Sequence, residues 1–149
     1  MTKKAAVIFA LFFALAGCDS MRMAEEKAKE FCAKEGKQSY VLERQMQGGY
    51  PVVRSACIDP ARLVHIENPF GVDAYADIDV RGATILKANS GSIAEKAGIK
   101  FNDIIQEFDG RAIATANDLQ AEVASVPAGK QIPIKLHRSQ KEVSTTAQF

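Results

Sequence analysis

The chain has 149 residues, a formal net charge of +1 and a hydrophobic fraction of 47%. That length accommodates one compact domain of ordinary size, or a small domain with an appendage, and it excludes two large domains. Lysine, arginine, aspartate and glutamate are scattered along the chain rather than gathered in blocks. This charge pattern disfavours a nucleic-acid-binding surface.

The first 17 residues are predicted to be an export signal. Lys3 and Lys4 precede an uncharged apolar run over 5–16, which is the pattern of a secretory signal peptide. A helix of that length would extend about 18 Å, which is too short for the roughly 30 Å hydrocarbon core of a membrane. We therefore expect residues 1–17 to be removed after export.

The apolar run ends in Leu15-Ala16-Gly17-Cys18, which resembles the lipobox of bacterial lipoproteins. This resemblance implies cleavage before Cys18, diacylation of its thiol, and a lipid-anchored chain on the periplasmic side of the cell envelope. An ordinary signal peptide followed by an incidental cysteine is the alternative. Asp19 resembles the residue that retains lipoproteins at the inner membrane of enteric bacteria, which favours the inner over the outer membrane.

Residues 18–66 are predicted to form an appendage of one helix and one β-hairpin. Apolar residues recur at spacings of three and four over 21–34, with charged residues between them, and Gly36 follows. This pattern predicts an amphipathic helix with a glycine at its end. Gly48-Gly49 separates an alternating segment from a second extended run over 52–58, which is typical of a hairpin turn.

Cys32 and Cys57 are the two thiols that remain once Cys18 is acylated. In an exported protein such a pair predicts a disulfide bond, here between the helix and the second strand of the hairpin. A zinc site is the alternative, but two cysteines without a nearby histidine supply too few ligands. A redox-active pair is weaker still, because the two cysteines are far apart in sequence, unlike Cys-x-x-Cys.

The second half of the chain contains two predicted helix caps. Ser92 stands three residues before Glu95, which is the spacing of a capping box and assigns this serine to a helix start rather than to catalysis. Thr115 to Asp118 predicts a second cap, which opens a helix with the apolar stripe Leu119, Val123 and Val126.

Several extended segments surround these helices. Apolar and polar residues alternate strictly over 72–80, which predicts one long strand. Asp109-Gly110 predicts a tight turn between two further strands. Strands are also predicted over 104–108, 111–113, 132–136 and 143–147.

This half of the chain resembles a bacterial PDZ domain of the kind appended to periplasmic proteases of the high-temperature-requirement family. Four segments match in order and spacing: GSIAEKAGI over 91–99, NDII over 102–105, FDG over 108–110 and Asp118-Leu119. The resemblance covers 67–149 and implies an α+β fold. That fold is a partly open β-barrel with two helices, here preceded by the disulfide-stapled helix and hairpin.

We expect no enzymatic activity from this chain. The sequence contains no counterpart of the family's protease domain, and a serine protease needs a histidine base oriented by a carboxylate. The two histidines, His65 and His137, stand in predicted extended segments. A satisfied or exposed imidazole is the expected role for each.

The PDZ resemblance also implies a groove for extended peptide ends, with a backbone loop that receives a terminal carboxylate. Phe70-Gly71-Val72 is similar to the core of that loop, since glycine lets backbone amides approach an anion. Ala74 on the receiving strand, with Leu119 and Val123 on the second helix, would line the groove. Pro69 replaces the usual extra glycine and has no amide to donate, so a proline turn is the alternative for the loop. A purely core role stays open for the two helical residues.

These features predict a membrane-anchored periplasmic protein that binds polypeptide C-termini or extended segments of envelope proteins. It would act as an adaptor or scaffold in envelope proteolysis, secretion or assembly. The alternative is a structural subunit of an envelope complex that docks through its N-terminal appendage, with a groove that is empty or filled by its own chain. No metal, other cofactor, small-molecule substrate or nucleic acid is expected.

Overall fold

The computed structural model describes residues 9–12 and 18–149. Of the predicted signal peptide over 1–17, only 9–12 fall within this range, and residues 15–17 of the predicted lipobox lie outside it. The chain divides into two compact units, Met1–Ala61 and Arg62–Phe149. Within the described ranges, no helix is both long enough and apolar enough to cross a bilayer.

The first unit is a helix packed on a β-hairpin. Its elements are β1 (Phe9–Phe12), α1 (Cys18–Ala33), β2 (Gln38–Gln47) and β3 (Tyr50–Ile58). All strand pairs are antiparallel, and β3 lies between β1 and β2. Gly48 and Gly49 have φ angles of +60° and +82°, which confirms the predicted hairpin turn.

The predicted disulfide joins this helix to the hairpin. Cys32 and Cys57 are bonded, with 5.2 Å between their Cα atoms. Helix α1 begins three residues earlier than predicted and ends at Ala33, and the amide of Lys37 donates to the carbonyl of Cys32 at 3.0 Å. The link between helix and sheet therefore sits at the last turn of the helix.

An ion pair also connects α1 to β2. The Arg44 guanidinium donates to the Glu25 carboxylate at 2.5 Å. This hydrogen bond lowers the pKa of Glu25 below its ordinary value and raises the pKa of Arg44. The pair is partly exposed, so it contributes modestly to the stability of the first unit.

The second unit is an antiparallel sheet that does not close, packed with two helices. The sheet order is β10-β9-β7-β6-β5-β4, with the short β8 paired to β7. The predicted α+β fold with a partly open sheet and two helices is confirmed. The elements are β4 (Leu63–Ile66), β5 (Val72–Tyr75), β6 (Ala83–Ala88), α2 (Ile93–Lys96), β7 (Ile104–Phe108), β8 (Arg111–Ala112), α3 (Ala116–Ala124), β9 (Gln131–Arg138) and β10 (Lys141–Gln148).

Aromatic rings anchor the core of the second unit. Phe70 and Phe108 are fully buried and meet edge to face, with ring centroids 5.8 Å apart. Phe149 stacks on Phe70 at 5.7 Å, and its amide and carbonyl bond to Lys130 and Gly129. The end of the chain is thus tied into the same core as the loop before β5.

The predicted caps and turns of this unit are present. Thr115 and Asp118 form a reciprocal capping box at the start of α3. The Ser92 hydroxyl accepts the amide of Glu95 at 3.1 Å, while the Glu95 carboxylate accepts from Gly91, one residue before the cap. Ser92 is buried, so its role here is structural.

The prediction of one long strand over 72–80 is wrong. Strand β5 ends at Tyr75, and the residues up to Gly82 form bends and irregular backbone. Val72 and Ala74 are fully buried, but Ile78 is 74% exposed, so the apolar face of the alternation is buried only at its start. The Asp77 carboxylate instead accepts the amide of Asp79 at 3.0 Å, a local turn that competes with strand pairing.

Candidate peptide-binding groove

The loop before β5 is fixed by backbone hydrogen bonds. The amides of Ile93 and Ala94, at the start of α2, donate to the carbonyls of Pro69 and Phe70 at 2.9 and 3.1 Å. The amide of Asn89 donates to the carbonyl of Gly71 at 2.9 Å. The position of this loop is therefore set by α2 and by the turn that precedes it.

Gly71 is the residue that this loop needs at its bend. Its φ angle is +66°, and a Cβ atom at this position would lie 2.6 Å from Asn68 Oδ1 and 2.7 Å from Ser92 Cβ. Both the backbone conformation and the lack of space therefore require glycine. The close approach of Ser92 shows that the buried serine helps to shape the loop as well as capping α2.

The edge of β5 that follows this loop is paired with β4. The two strands are antiparallel, with Ile66 opposite Val72 and Val64 opposite Ala74. The carbonyl of Glu67, one residue after β4, accepts the amide of Gly71 at 3.1 Å. Both edges of β5 are thus occupied, one by β6 and the other by β4.

Helix α3 forms the other wall around β4. Leu119 is fully buried, Val123 is partly buried, and both pack in the core cluster that includes Val64 and Ile66. The Gln120 side-chain amide donates to the carbonyl of His65 at 3.3 Å. Strand β4 therefore lies between β5 and α3, contacting both.

A sequence model of the PDZ domain matches residues 48–148. The chain belongs to the PDZ domain family. PDZ domains bind peptide C-termini or extended segments by adding them as a strand to a sheet edge. In this PDZ domain, the edge that follows the glycine loop is β5, and the strand now paired with it is β4.

The relatives of this PDZ domain include periplasmic proteases. The chain is 41% identical over 73 residues to a probable DegP-like periplasmic serine endoprotease of Marinomonas sp. (strain MWYL1), covering 49% of this chain and 14% of the relative. It is 34% identical over 69 residues to the periplasmic serine endoprotease DegP of Escherichia coli (strain K12), covering 46% and 15%. This chain therefore matches about one-seventh of the length of these relatives.

A solved structure supports the fold alone. The HtrA-type protease AlgW with decapeptide aligns with a TM-score of 0.51 at 15% identity, covering 74% of this chain and 40% of the other.

The six groove residues predicted from the sequence lie together in the PDZ core. Gly71 bends the loop, Val123 is partly buried, and the other four are fully buried. Strand β4 pairs with β5 and packs against these residues, at the position where the predicted groove would take a peptide. The four fully buried residues are Phe70, Val72, Ala74 and Leu119.

The site residues predicted from the sequence do not include Val64 and Ile66, which pack in the same core cluster as Phe70 and Leu119. The predicted boundary places Val64 and Ile66 in the appendage over 18–66, whereas the second compact unit begins at Arg62 and the family match begins at residue 48. The signal in the sequence is the short apolar run Leu63-Val64-His65-Ile66 directly before the loop, and in the structure Val64 and Ile66 are its buried residues. His65 is exposed, and its Nδ1 lies 2.6 Å from Asp73 Oδ1 on the neighbouring strand.

Proposed function

We propose that this chain is a non-enzymatic periplasmic protein that binds polypeptide C-termini or extended segments between β5 and α3. The observation that supports this most strongly is the arrangement of loop, strand and helix. The Gly71 loop stands directly before β5, α3 lies opposite, and the space between them accommodates a four-residue antiparallel strand. The geometry is that of strand addition.

A periplasmic location is supported by three independent features. The first is the predicted export signal, and the second is the description of the relatives as periplasmic proteases. The third is the Cys32–Cys57 bond, because disulfides persist in oxidising compartments such as the periplasm.

The proposal includes a lipid anchor on Cys18, for which the lipobox-like sequence over 15–18 is the support. Intact mass of the membrane-extracted native protein should show a cleaved, acylated chain that begins at Cys18. Cys18→Ser should move the protein from the membrane to the soluble fraction. An unmodified Cys18 in the native host would contradict the anchor and leave the peptide groove unaffected.

The proposal assigns no catalytic role to Ser92, the buried serine at the glycine-flanked turn. The Ser92 hydroxyl caps α2 and is buried beside Gly71, so it is not presented to a substrate. The proposal includes an adaptor or scaffold role in envelope proteolysis, secretion or assembly.

One observation favours a second candidate function. Because β4 fills the groove, the chain also fits a structural subunit that docks through its first unit and does not use the groove. Selection of peptides with randomised C-termini against the mature chain separates the two. Enrichment of a consensus sequence supports peptide binding. The selection is repeated with a variant in which the groove is opened, as described below, and a random peptide population in both selections supports the structural subunit.

A further inference from the structure

We propose that β4 is an internal ligand of the PDZ groove, and that its sequence is the template for the external ligand. This inference rests on the proposed function, because it specifies the ligand and the regulation of the same groove. Four features of β4 support the inference: its direction, its register, the burial of its side chains and its connections.

The direction and register of β4 match those of a bound peptide end. The strand runs antiparallel to β5, and Ile66 at its C-terminal end stands opposite Val72, the first residue after the loop. The Glu67 carbonyl oxygen accepts the Gly71 amide at 3.1 Å. The Glu67 carbonyl oxygen therefore occupies the Gly71 amide, a donor that would otherwise face the terminal carboxylate of a bound peptide.

Alternate side chains of β4 fill the groove. Ile66 and Val64 are 4% and 9% exposed and belong to the core cluster with Phe70 and Leu119. Leu63 and His65 point to the other face and are more exposed. An external peptide in the same register would need β-branched aliphatic residues at its last and third-from-last positions.

The position between these two residues has its own partner. His65 Nδ1 lies 2.6 Å from Asp73 Oδ1, directly opposite on β5. A carboxylate at this site favours a hydrogen-bond donor or a positive charge on the ligand. The ligand class is therefore a peptide ending in Val-x-Ile or a close relative, where x is His, Lys or Arg.

The short connections of β4 make it a strong competitor. Residues 67–71 join it to β5, and residues 59–62 join it to β3. A segment joined directly to its own binding site competes with an external peptide as an intramolecular ligand, at a high effective concentration. The apparent affinity of an external peptide falls in proportion to the fraction of molecules in which the groove is open. Displacement of β4 thus regulates binding.

Binding of a labelled peptide ending in Leu-Val-His-Ile with a free carboxylate tests this inference. The proteins are the mature chain, Ile66→Ala, the milder Ile66→Val, and the control Leu63→Ala on the other face of the same strand. A control peptide ends in Leu-Ser-His-Ser, and circular dichroism melting curves verify that each variant folds.

Ile66→Ala should bind the first peptide at least tenfold more tightly than the wild-type chain and Leu63→Ala do, with Ile66→Val between them. The serine peptide should bind at least tenfold more weakly. Added peptide should also raise the melting temperature of Ile66→Ala more than that of the wild-type chain.

Equal affinities of the wild-type chain and both Ile66 variants would overturn the inference that β4 competes. Peptide selection is repeated against Ile66→Ala, or against Ile66→Val if the alanine variant does not fold. Enrichment of peptides unlike Val-x-Ile would overturn the inference that β4 is the template for the ligand, while leaving the proposed function intact. Failure of the wild-type chain and every folded variant to select any peptide would instead refute the proposed function itself.

Discussion

Removal of the Arg138 side chain should strongly destabilise the second unit. Its guanidinium donates to both carboxylate oxygens of Asp103 at 2.7 Å and to the carbonyl of Gly98 at 2.7 Å. The Asp103 side chain is fully buried. Hydrogen bonding to Asp103 raises the pKa of Arg138, so the guanidinium stays charged and paired.

Arg138→Ala would leave the Asp103 carboxylate buried with one remaining donor, the amide of Lys100 at 2.8 Å. Breaking a buried pair in this way costs about 3 to 5 kcal/mol, against a total stability of about 5 to 15 kcal/mol for a typical domain. For a domain of this size each kcal/mol corresponds to roughly 4 to 8 °C in melting temperature. We therefore expect a drop of at least about 12 °C.

Native-state hydrogen exchange of the β7 and β9 amides measures this loss in the second unit alone. Protection should fall by about a hundredfold or more, since each 1.4 kcal/mol corresponds to about a factor of ten. The matched control is Lys135→Ala, which lies on β9 like Arg138 and removes an exposed ion-pair partner of Glu107. This variant should leave protection unchanged. Similar protection in both variants would refute the reasoning.

Three further predictions concern the loop, the disulfide and the surface ion pair. Gly71→Ala should destabilise the second unit and abolish peptide binding, whereas Gly91→Ala, with a similar φ of +77° but no atom within 4 Å of the added Cβ, should bind peptide normally in the same titration. Cys57→Ser opens a loop with a sequence separation of 25 residues and should cost the first unit about 3 to 4 kcal/mol in urea unfolding; an unchanged midpoint would contradict it. Because Arg44 lowers the pKa of Glu25, the stability from this pair is present above the unfolded pKa of about 4.3 and is lost as the pH falls through the lower folded value. Arg44→Ala should therefore lower the melting temperature at pH 7 and have less effect at pH 3, and an equal effect at both would count against the pair.

Features that depend on neighbouring residues were predictable from the sequence. The capping box of Thr115 and Asp118 joins atoms three residues apart, and the Asp109-Gly110 turn requires positive φ angles, which both residues have. The disulfide needed only the count of cysteines and an exported context. The fold of the second half followed because these local signals stand in a characteristic order.

Features that depend on distant pairing were not predictable in the same way. Alternation over 72–80 predicts a strand but does not identify a partner strand. Strand β5 ends at Tyr75, the Ala76 amide makes one further backbone bond to Arg62, and the local turn of Asp77 and Asp79 follows. The run Leu63–Ile66 is equally compatible with the hairpin appendage and with the PDZ sheet. Its position between β5 and α3 depends on complementarity to both elements, which sequence spacing does not contain.

Calorimetry with matched peptide acids and amides tests the central claim most directly. Ile66→Ala would be titrated with one peptide ending in Val-His-Ile, as the free carboxylate and as the carboxamide. Hydrogen bonds to a charged group contribute about 1.5 to 3 kcal/mol, so the acid should bind at least about tenfold more tightly if the Gly71 loop receives the carboxylate. Equal affinities of the two forms would contradict the assignment of this loop as the carboxylate site.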